Sequence, residues 1–521
     1  MWSELPSLCP LWHLLAPSTL PFPRQGLSNR YIDTVSSGTP WQIAQCLTQI
    51  FQIVSAKQYE DPALWTRFLR FASLVRCLTT RQADFLHERD LVRAVLDRNG
   101  GESIFSSLRQ LYWAPGSSIN VAAFQALLLT PALRIITIRT PEPFMVLKGT
   151  YVVEGFIVSL GGSGRSMPTE DETLDSFFKE LTTSPLHIDT LHIEGHLPKP
   201  YLLRSLRSSK PHAHLRTVRF SQNVGTFYMS TFLAVAGSLH MQSLVINGST
   251  FSDFIERTVT KGSCVAPVLE YLKVHSDCTA LETIFTALDA PSLRSAVLDV
   301  GDLGGFQVVP SSHIKAFAGA VSSSSFTDLD LKLRQSGDSL NGFSLFYSKR
   351  PVSIQLRSLV EPIFPLHNMQ VFSLTGCTKI RLRVDDEVLR DITQAWPNLV
   401  RFSLVGILQG GTTERSGEKA ADPTIRALYY FWRNCPNLRK LVLPPLSFPD
   451  SFRDLPVPLE RSTHELSVLQ VAKVETWSQK SLRAGATIRE GEAENFSLVN
   501  GYIRQLFPTV QLVDGSRHVY H

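Results

Sequence analysis

The 521-residue sequence predicts an α/β solenoid, a stack of strand-plus-helix units with parallel strands on a concave face and helices outside. Three observations predict it. A short pattern occurs twice, as WPNLVRFSL from Trp396 and CPNLRKLVL from Cys435. Each copy follows a helical stretch, DDEVLRDITQA from Asp385 and TIRALYYFWRN from Thr424, and reads as a helix end, a Pro, then Leu-x-x-Leu-x-Leu, with Phe402 in the middle place of the first copy. Similar strands begin at Ile188, Leu215, Met241, Leu269 and Leu293, at spacings of 27, 26, 28 and 24 residues. A unit of that size cannot bury its own apolar face, so it requires neighbours stacked on both sides.

Taken in order, residues 1–60 read as an N-terminal helical segment. Leu5, Leu8, Leu11, Leu14 and Leu15 recur at helical spacing, Pro17, Pro21 and Pro23 break the chain, and Trp41–Ala56 reads as a second helix. The repeat domain spans 61–521. DPALWTRFLRFASLV opens it, with Pro62 at a helix start, and runs into a strand at Val75. Further strands begin at Leu108, Leu133, Phe326, Met369, Leu399, Leu438 and Leu466. Helical runs precede many of them, as at Asn120, Leu174, Leu281 and Ile314. The period breaks at loop insertions near 140–172, 334–352 and 406–423, which hold GGSGRSMPTEDE, QSGDSLNGFSLFYSKRP and GILQGGTTERSGEKAAD. A polar stretch, SQKSLRAGATIREGEAEN, leads to a final helix and strand, LVNGYIRQLFPTVQLV, read as the C-terminal cap.

Composition narrows the function classes. Hydrophobic content of 43% and charged content of 19% are those of a folded chain, and the formal charge, 51 − 46 = +5, is small for this length and makes no case for nucleic acid or an anionic membrane. The seven cysteines are scattered with no C-x-x-C pair, which argues against a disulfide framework or a zinc site and suits a reducing compartment. No run approaches the roughly 18 apolar residues of a membrane span. The N-terminus has Glu4, two internal prolines and no basic n-region, so no secretory signal is expected and a cytoplasmic or nuclear location follows by elimination.

A strand-plus-helix unit of this length resembles the leucine-rich repeat, which implies a horseshoe. In such a unit the first, fourth and sixth residues point inward. The third and fifth face the concave sheet, about 58 Å of arc for thirteen strands about 4.8 Å apart. The ninth place is normally Asn or Cys, tying down the turn. Asn223 and Cys377 fill it here, with Asp277, Ser249 and Gly301 in other units. From strand phase the concave-face candidates for protein binding are Tyr112, His192, Arg219, Tyr271, Lys273, Asp328, Asp330, Arg401 and Lys440. Their polar, aromatic and mixed-sign character suits a protein surface rather than a small-molecule pocket.

No catalytic constellation is expected. GGSGRS at Gly161 lacks a following Lys-Ser/Thr, and GTTERSGEK at Gly411 has the wrong spacing for a nucleotide loop. His187 and His192 fall on opposite faces of a strand, and His212 and His214 have no third ligand near them. Neither a cofactor nor a metal is implied, so the chain is read as no enzyme.

The opening WSELPSLCPLWHLL is similar to the segment that follows the F-box in mushroom-type fungal F-box proteins. DPALWTRFLRFASLVRCL at Asp61 resembles that group's first helix and strand, and LFPTVQLV at Leu506 its last. The resemblance implies a substrate receptor of a Skp–cullin–F-box ubiquitin ligase, which binds a target on its repeats and does no chemistry itself. The F-box itself is not recognisable: LPSLCPLWHLL lacks the box's continuation. A Skp-type adaptor is therefore expected as a partner only where the full gene product carries the box, and no adaptor contact is assigned to a residue. An interaction scaffold or decoy without ligase recruitment is the alternative.

Overall fold

A computed structural model describes residues 4–5, 11, 13–15, 60–80, 86–113, 128–139, 152–153, 156–157, 187–195, 214–252, 260–301, 311–334, 352–376, 380–405, 423–447, 455–456, 464–471 and 490–514. The helix expected over Trp41–Ala56 and most of the three insertions lie outside them. The chain forms two compact units. The first holds Met1–Met241 and Val245–Gly248, the second Gln242–Leu244 and Ser249–His521.

In the first unit the strands β1 (Glu4–Leu5), β2 (Cys77–Thr80), β3 (Gln110–Trp113), β4 (Ile135–Arg139), β7 (Thr190–Glu194) and β8 (Thr217–Tyr228) lie side by side in that order. The pairings from β1 through to β8 are parallel. The intervening β5 (Val152–Val153) and β6 (Phe156–Ile157) form a small antiparallel hairpin inside the first insertion. Helices α1 (Pro62–Ala72), α2 (Leu86–Arg98) and α3 (Met229–Ala236) complete the described elements. Asp61 starts α1: its carboxylate accepts from Ala63 N at 2.7 Å and Leu64 N at 3.2 Å, with Pro62 in the first turn where its missing N–H costs nothing.

The N-terminus corrects one expectation. Leu5 is not helical; it pairs with Leu78 in β1, and a 3-10 turn at His13–Leu15 follows. The apolar spacing of Leu5–Leu15 fits a helix, but Leu5 and Cys9 each precede a proline, which drives the preceding residue to extended backbone. Leu11, Leu14 and Leu15 are buried, so the leucines do enter the core, by another route.

In the second unit β11 (Tyr271–Ser276), β13 (Ser295–Val300), β14 (Asp328–Leu333), β16 (Val371–Gly376), β18 (Arg401–Val405), β19 (Lys440–Leu443), β20 (Val468–Val471) and β21 (Gln511–Asp514) follow in parallel order. Strand β9 (Ser243–Ser252) divides between the units. Two shorter parallel ladders join β10 (Cys264–Val265) to β12 (Leu288–Asp289) and β15 (Val352–Gln355) to β17 (Ile380–Arg383). The helices are α4 (Cys278–Ala287), α5 (Ser311–Ala320), α6 (Leu356–Val360), α7 (Asp386–Ala395), α8 (Arg426–Asn434) and α9 (Glu490–Leu506). Helix α9 begins inside the stretch read as polar linker, at Glu490.

The apolar ladder is present. From Leu108–Trp113 to Leu438–Leu443, each first, fourth and sixth residue is no more than 7% exposed. In the second unit the ladder meets the helices through aromatic rings. Phe317 lies edge-on to both Phe285 and Phe326 at 5.0 and 5.3 Å. Phe372 and Phe402 stack at 5.6 Å, and Trp396 and Phe431 pack against them at 5.1 and 5.0 Å.

One junction launches six of these strands. In Thr130-Pro-Ala-Leu133, Ala266-Pro-Val-Leu269, Ala290-Pro-Ser-Leu293, Trp396-Pro-Asn-Leu399, Cys435-Pro-Asn-Leu438 and Phe507-Pro-Thr-Val510, the first residue is buried. Its carbonyl accepts from the fourth residue's N–H at 3.0–3.4 Å. Pro cannot extend the helix, and its fixed φ suits the second place of a tight turn. Trp396 and Cys435 accordingly leave helical geometry with nearly equal angles, φ −124° ψ 69° and φ −122° ψ 71°.

The second residue of each unit then fixes register. The Arg76 carbonyl accepts from both Arg109 N and Gln110 N, and the same two-donor pattern recurs at Arg109, Arg134, Asp189, Glu270, Arg294, Thr327, Gln370, Val400 and Arg439. At the ninth place, Asp277 caps α4 by accepting from Ala280 N at 2.8 Å, and the Gly301 N–H donates to the Ser276 carbonyl at 2.8 Å. Cys377 lies outside the described residues, as do the side chains of Asn223 and Ser249.

Candidate functional site

Register aligns the polar residues on the sheet face opposite the ladder into rows, one for each odd place in the repeat. In the first unit the fifth-place row reads Thr79, Tyr112, Thr137, His192 and Arg219 across five adjacent strands. The structure thus brings together three predicted residues, Tyr112, His192 and Arg219. A seventh-place row, Arg139, Glu194 and Ser221, runs beside it.

Tyr112, Glu194, His192 and Ser221 lie in one chain of contacts. The Tyr112 hydroxyl donates to Glu194 Oε2 at 3.0 Å, His192 Nε2 meets Ser221 Oγ at 2.5 Å, and His192 Nδ1 lies 3.7 Å from Glu194 Oε1. Burial, then the Glu194 hydrogen bond, pushes the Tyr112 hydroxyl above its ordinary pKa; Arg139 opposes this. Burial also lowers the His192 pKa, with Glu194 opposing and Arg219 adding to the shift. A neutral imidazole with a serine on one side and a carboxylate on the other follows the order of a hydrolytic triad. The 3.7 Å gap to Glu194 is beyond hydrogen-bond reach, however, so the group here is a polar tie across strands. Gly195 closes β7 at φ 98°, backbone that side chains rarely adopt, and donates its N–H to the Ser221 carbonyl.

In the second unit the third-place row reads Tyr271, Ser295, Asp328, Val371, Arg401, Lys440 and Val468. The fifth-place row reads Lys273, Val297, Asp330, Ser373, Ser403 and Val442. The remaining six predicted residues therefore share two adjacent rows, although Tyr271 stands two strands from Asp328, about 9.6 Å at the usual spacing. Arg401 and Lys440 are direct cross-strand partners of like charge. Asp330 holds Lys332 at 3.4 Å, and Asp328 accepts from Thr327 Oγ1 at 2.8 Å.

The seventh place again adds residues that the six-residue template omits. Asp299 is buried at 5% exposure. Arg334 Nη2 pairs with its Oδ2 at 2.7 Å, and His275 Nδ1 lies 3.3 Å from Oδ1 without forming a hydrogen bond. The strand alternation that marked places three and five also marks place seven, and extending it by one step finds Arg139, Glu194, Ser221, His275, Asp299 and Lys332.

No group of three or more His, Cys, Asp or Glu is placed to hold a metal among the described residues, and no described helix is long and apolar enough to cross a membrane. The fold defines the class: a mostly α/β protein with a large parallel sheet. No protein-family model matches the chain, and no curated protein matches it. Among solved structures it is similar to one titled as the complex of Rad7 and Elc1 in yeast, at 13% identity and a TM-score of 0.31, over 86% of this chain and 98% of that one.

Proposed function

We propose that the chain is a leucine-rich-repeat horseshoe that binds a protein on its concave face, as the substrate receptor of a Skp–cullin–F-box-type ubiquitin ligase. It holds a target for ubiquitin transfer by other subunits and performs no chemistry itself. The observation that supports protein binding most directly is the Arg401–Lys440 pair. Like charges directly opposed on neighbouring strands destabilise a sheet, and here they are locked by register, with neutral Val371 and Val468 beside them. An acidic side chain from a partner relieves that repulsion. The ligase part rests on the resemblance of the Trp2, Asp61 and Leu506 segments to mushroom-type F-box proteins.

Two measurements test the reading. The full gene product is expected to co-purify with a Skp-type adaptor, and R401E/K440E is expected to abolish target binding while sparing the adaptor. Adaptor binding absent from the full product ends the ligase reading. Target binding still lost in R401E/K440E would then leave a repeat scaffold without recruitment.

A further inference from the structure

The edge of the first unit where its strands begin carries a feature that the face reading does not use. Arg76, Arg109, Arg134 and Arg216 occupy the same second place in their units, and Asp189 fills it in the unit between the last two. Their backbones are tied side by side. The Arg76 carbonyl accepts from Arg109 N at 2.8 Å, Arg109 from Arg134 N at 2.9 Å, Arg134 from Asp189 N at 2.9 Å, and Asp189 from Arg216 N at 2.9 Å. Register slip therefore cannot separate the guanidinium groups.

Arg76, Arg109 and Arg216 are exposed. Arg134 is half-buried, with Nη1 donating to the Pro131 and Leu133 carbonyls at 2.8 and 3.0 Å. Among the described residues no carboxylate lies within ion-pairing distance of any of the four. Three like charges on consecutive strands cost stability, and no ion pair among the described residues repays that cost.

We propose that this row docks an extended acidic segment of a protein partner. The proposal rests on the protein-binding reading only in taking the occupant to be a polypeptide. From Arg76 to Arg216 is four strand steps, about 19 Å, which an extended chain covers in about six residues. Carboxylates opposite Arg76, Arg109 and Arg134 complete ion pairs, and a basic or neutral residue fits opposite Asp189. A single-stranded nucleic acid fits less well. Its phosphates would meet Asp189, and no aromatic side chain stands in this row to stack a base.

The test is fluorescence anisotropy of the full chain with a labelled Asp/Glu hexapeptide, at about 50 mM salt so that screening is weak. Binding is expected to weaken by up to about 25-fold in R76E/R109E, since each of the two exposed pairs contributes up to about fivefold. It is expected to survive in R76K/R109K, which keeps the charge. Circular dichroism confirms that each variant is folded. Equal binding by wild type and R76E/R109E overturns the proposal, as does capture of a short oligonucleotide in place of the peptide. Loss of adaptor or target binding in the earlier experiments leaves this result untouched.

Discussion

Substituting aspartate at Leu441 and at its neighbour Lys440 tests the register of the second unit with two changes one residue apart. Leu441 is fully buried, paired with Phe402 on one side and Leu469 on the other. Losing its apolar burial costs about 1.5–3 kcal/mol. The new carboxylate must also be desolvated without a partner, which adds roughly 2 kcal/mol or more even after it takes up a proton. The sum, on the order of 4–5 kcal/mol, is a large part of the stability of an ordinary domain. Lys440 is half-buried on the opposite face, beside Arg401. Aspartate there replaces a like-charge pair with an opposite one and is expected to stabilise by about 0.2–1 kcal/mol. Urea unfolding with hydrogen exchange on β18–β21 reads both, because in a stacked array the damage falls on nearest neighbours. Equal shifts for the two variants, or a larger loss at Lys440, refute the register.

Two further predictions concern buried titratable groups. Burial pushes the Cys435 thiol up to about 12, and its Sγ points at the Thr393 and Trp396 carbonyls. Peptide mass spectrometry after alkylation at pH 8 should find Cys435 unmodified in the folded chain, half-buried Cys77 modified, and Cys435 modified once urea is added. Fully buried His313 has its pKa lowered by burial from 6.5 to about 4. The unfolded chain therefore binds a proton that the folded chain refuses. Stability is highest above about pH 6.5 and falls as pH drops toward 4, by about 3 kcal/mol in all. His313→Leu should flatten that part of the pH profile, and an unchanged slope counts against the assignment.

What could be read from the residues depended on how local the physics was. The ladder was legible because burial of the first, fourth and sixth places follows from strand alternation alone, as at Leu438, Leu441 and Leu443. The Pro-initiated turns at Trp396 and Cys435 were legible for the same reason, although the matching turn at Thr130 depends on a small buried residue that leaves no pattern. At Leu5 the apolar spacing pointed to a helix, while the adjacent Pro6, a one-residue effect, dictated a strand. The start of α9 at Glu490 was hidden because 490–495 reads as linker by composition.

The candidate site was half legible. Place five put Tyr112, His192 and Arg219 in one row, but a template that stops at six residues omits Glu194 and Ser221, the partners of Tyr112 and His192. The division of the chain near Met241–Ser249 has no local signature, since the strand pattern at Met241 is as regular as its neighbours.

Recovery of a bound target protein by the tagged chain, wild type against R401E/K440E and against R433E on the exposed side of α8, tests the central claim most directly. The account predicts that the first variant loses the target and that the second retains it. Retention by R401E/K440E, or loss in R433E alone, would contradict the assignment of binding to this face of the sheet.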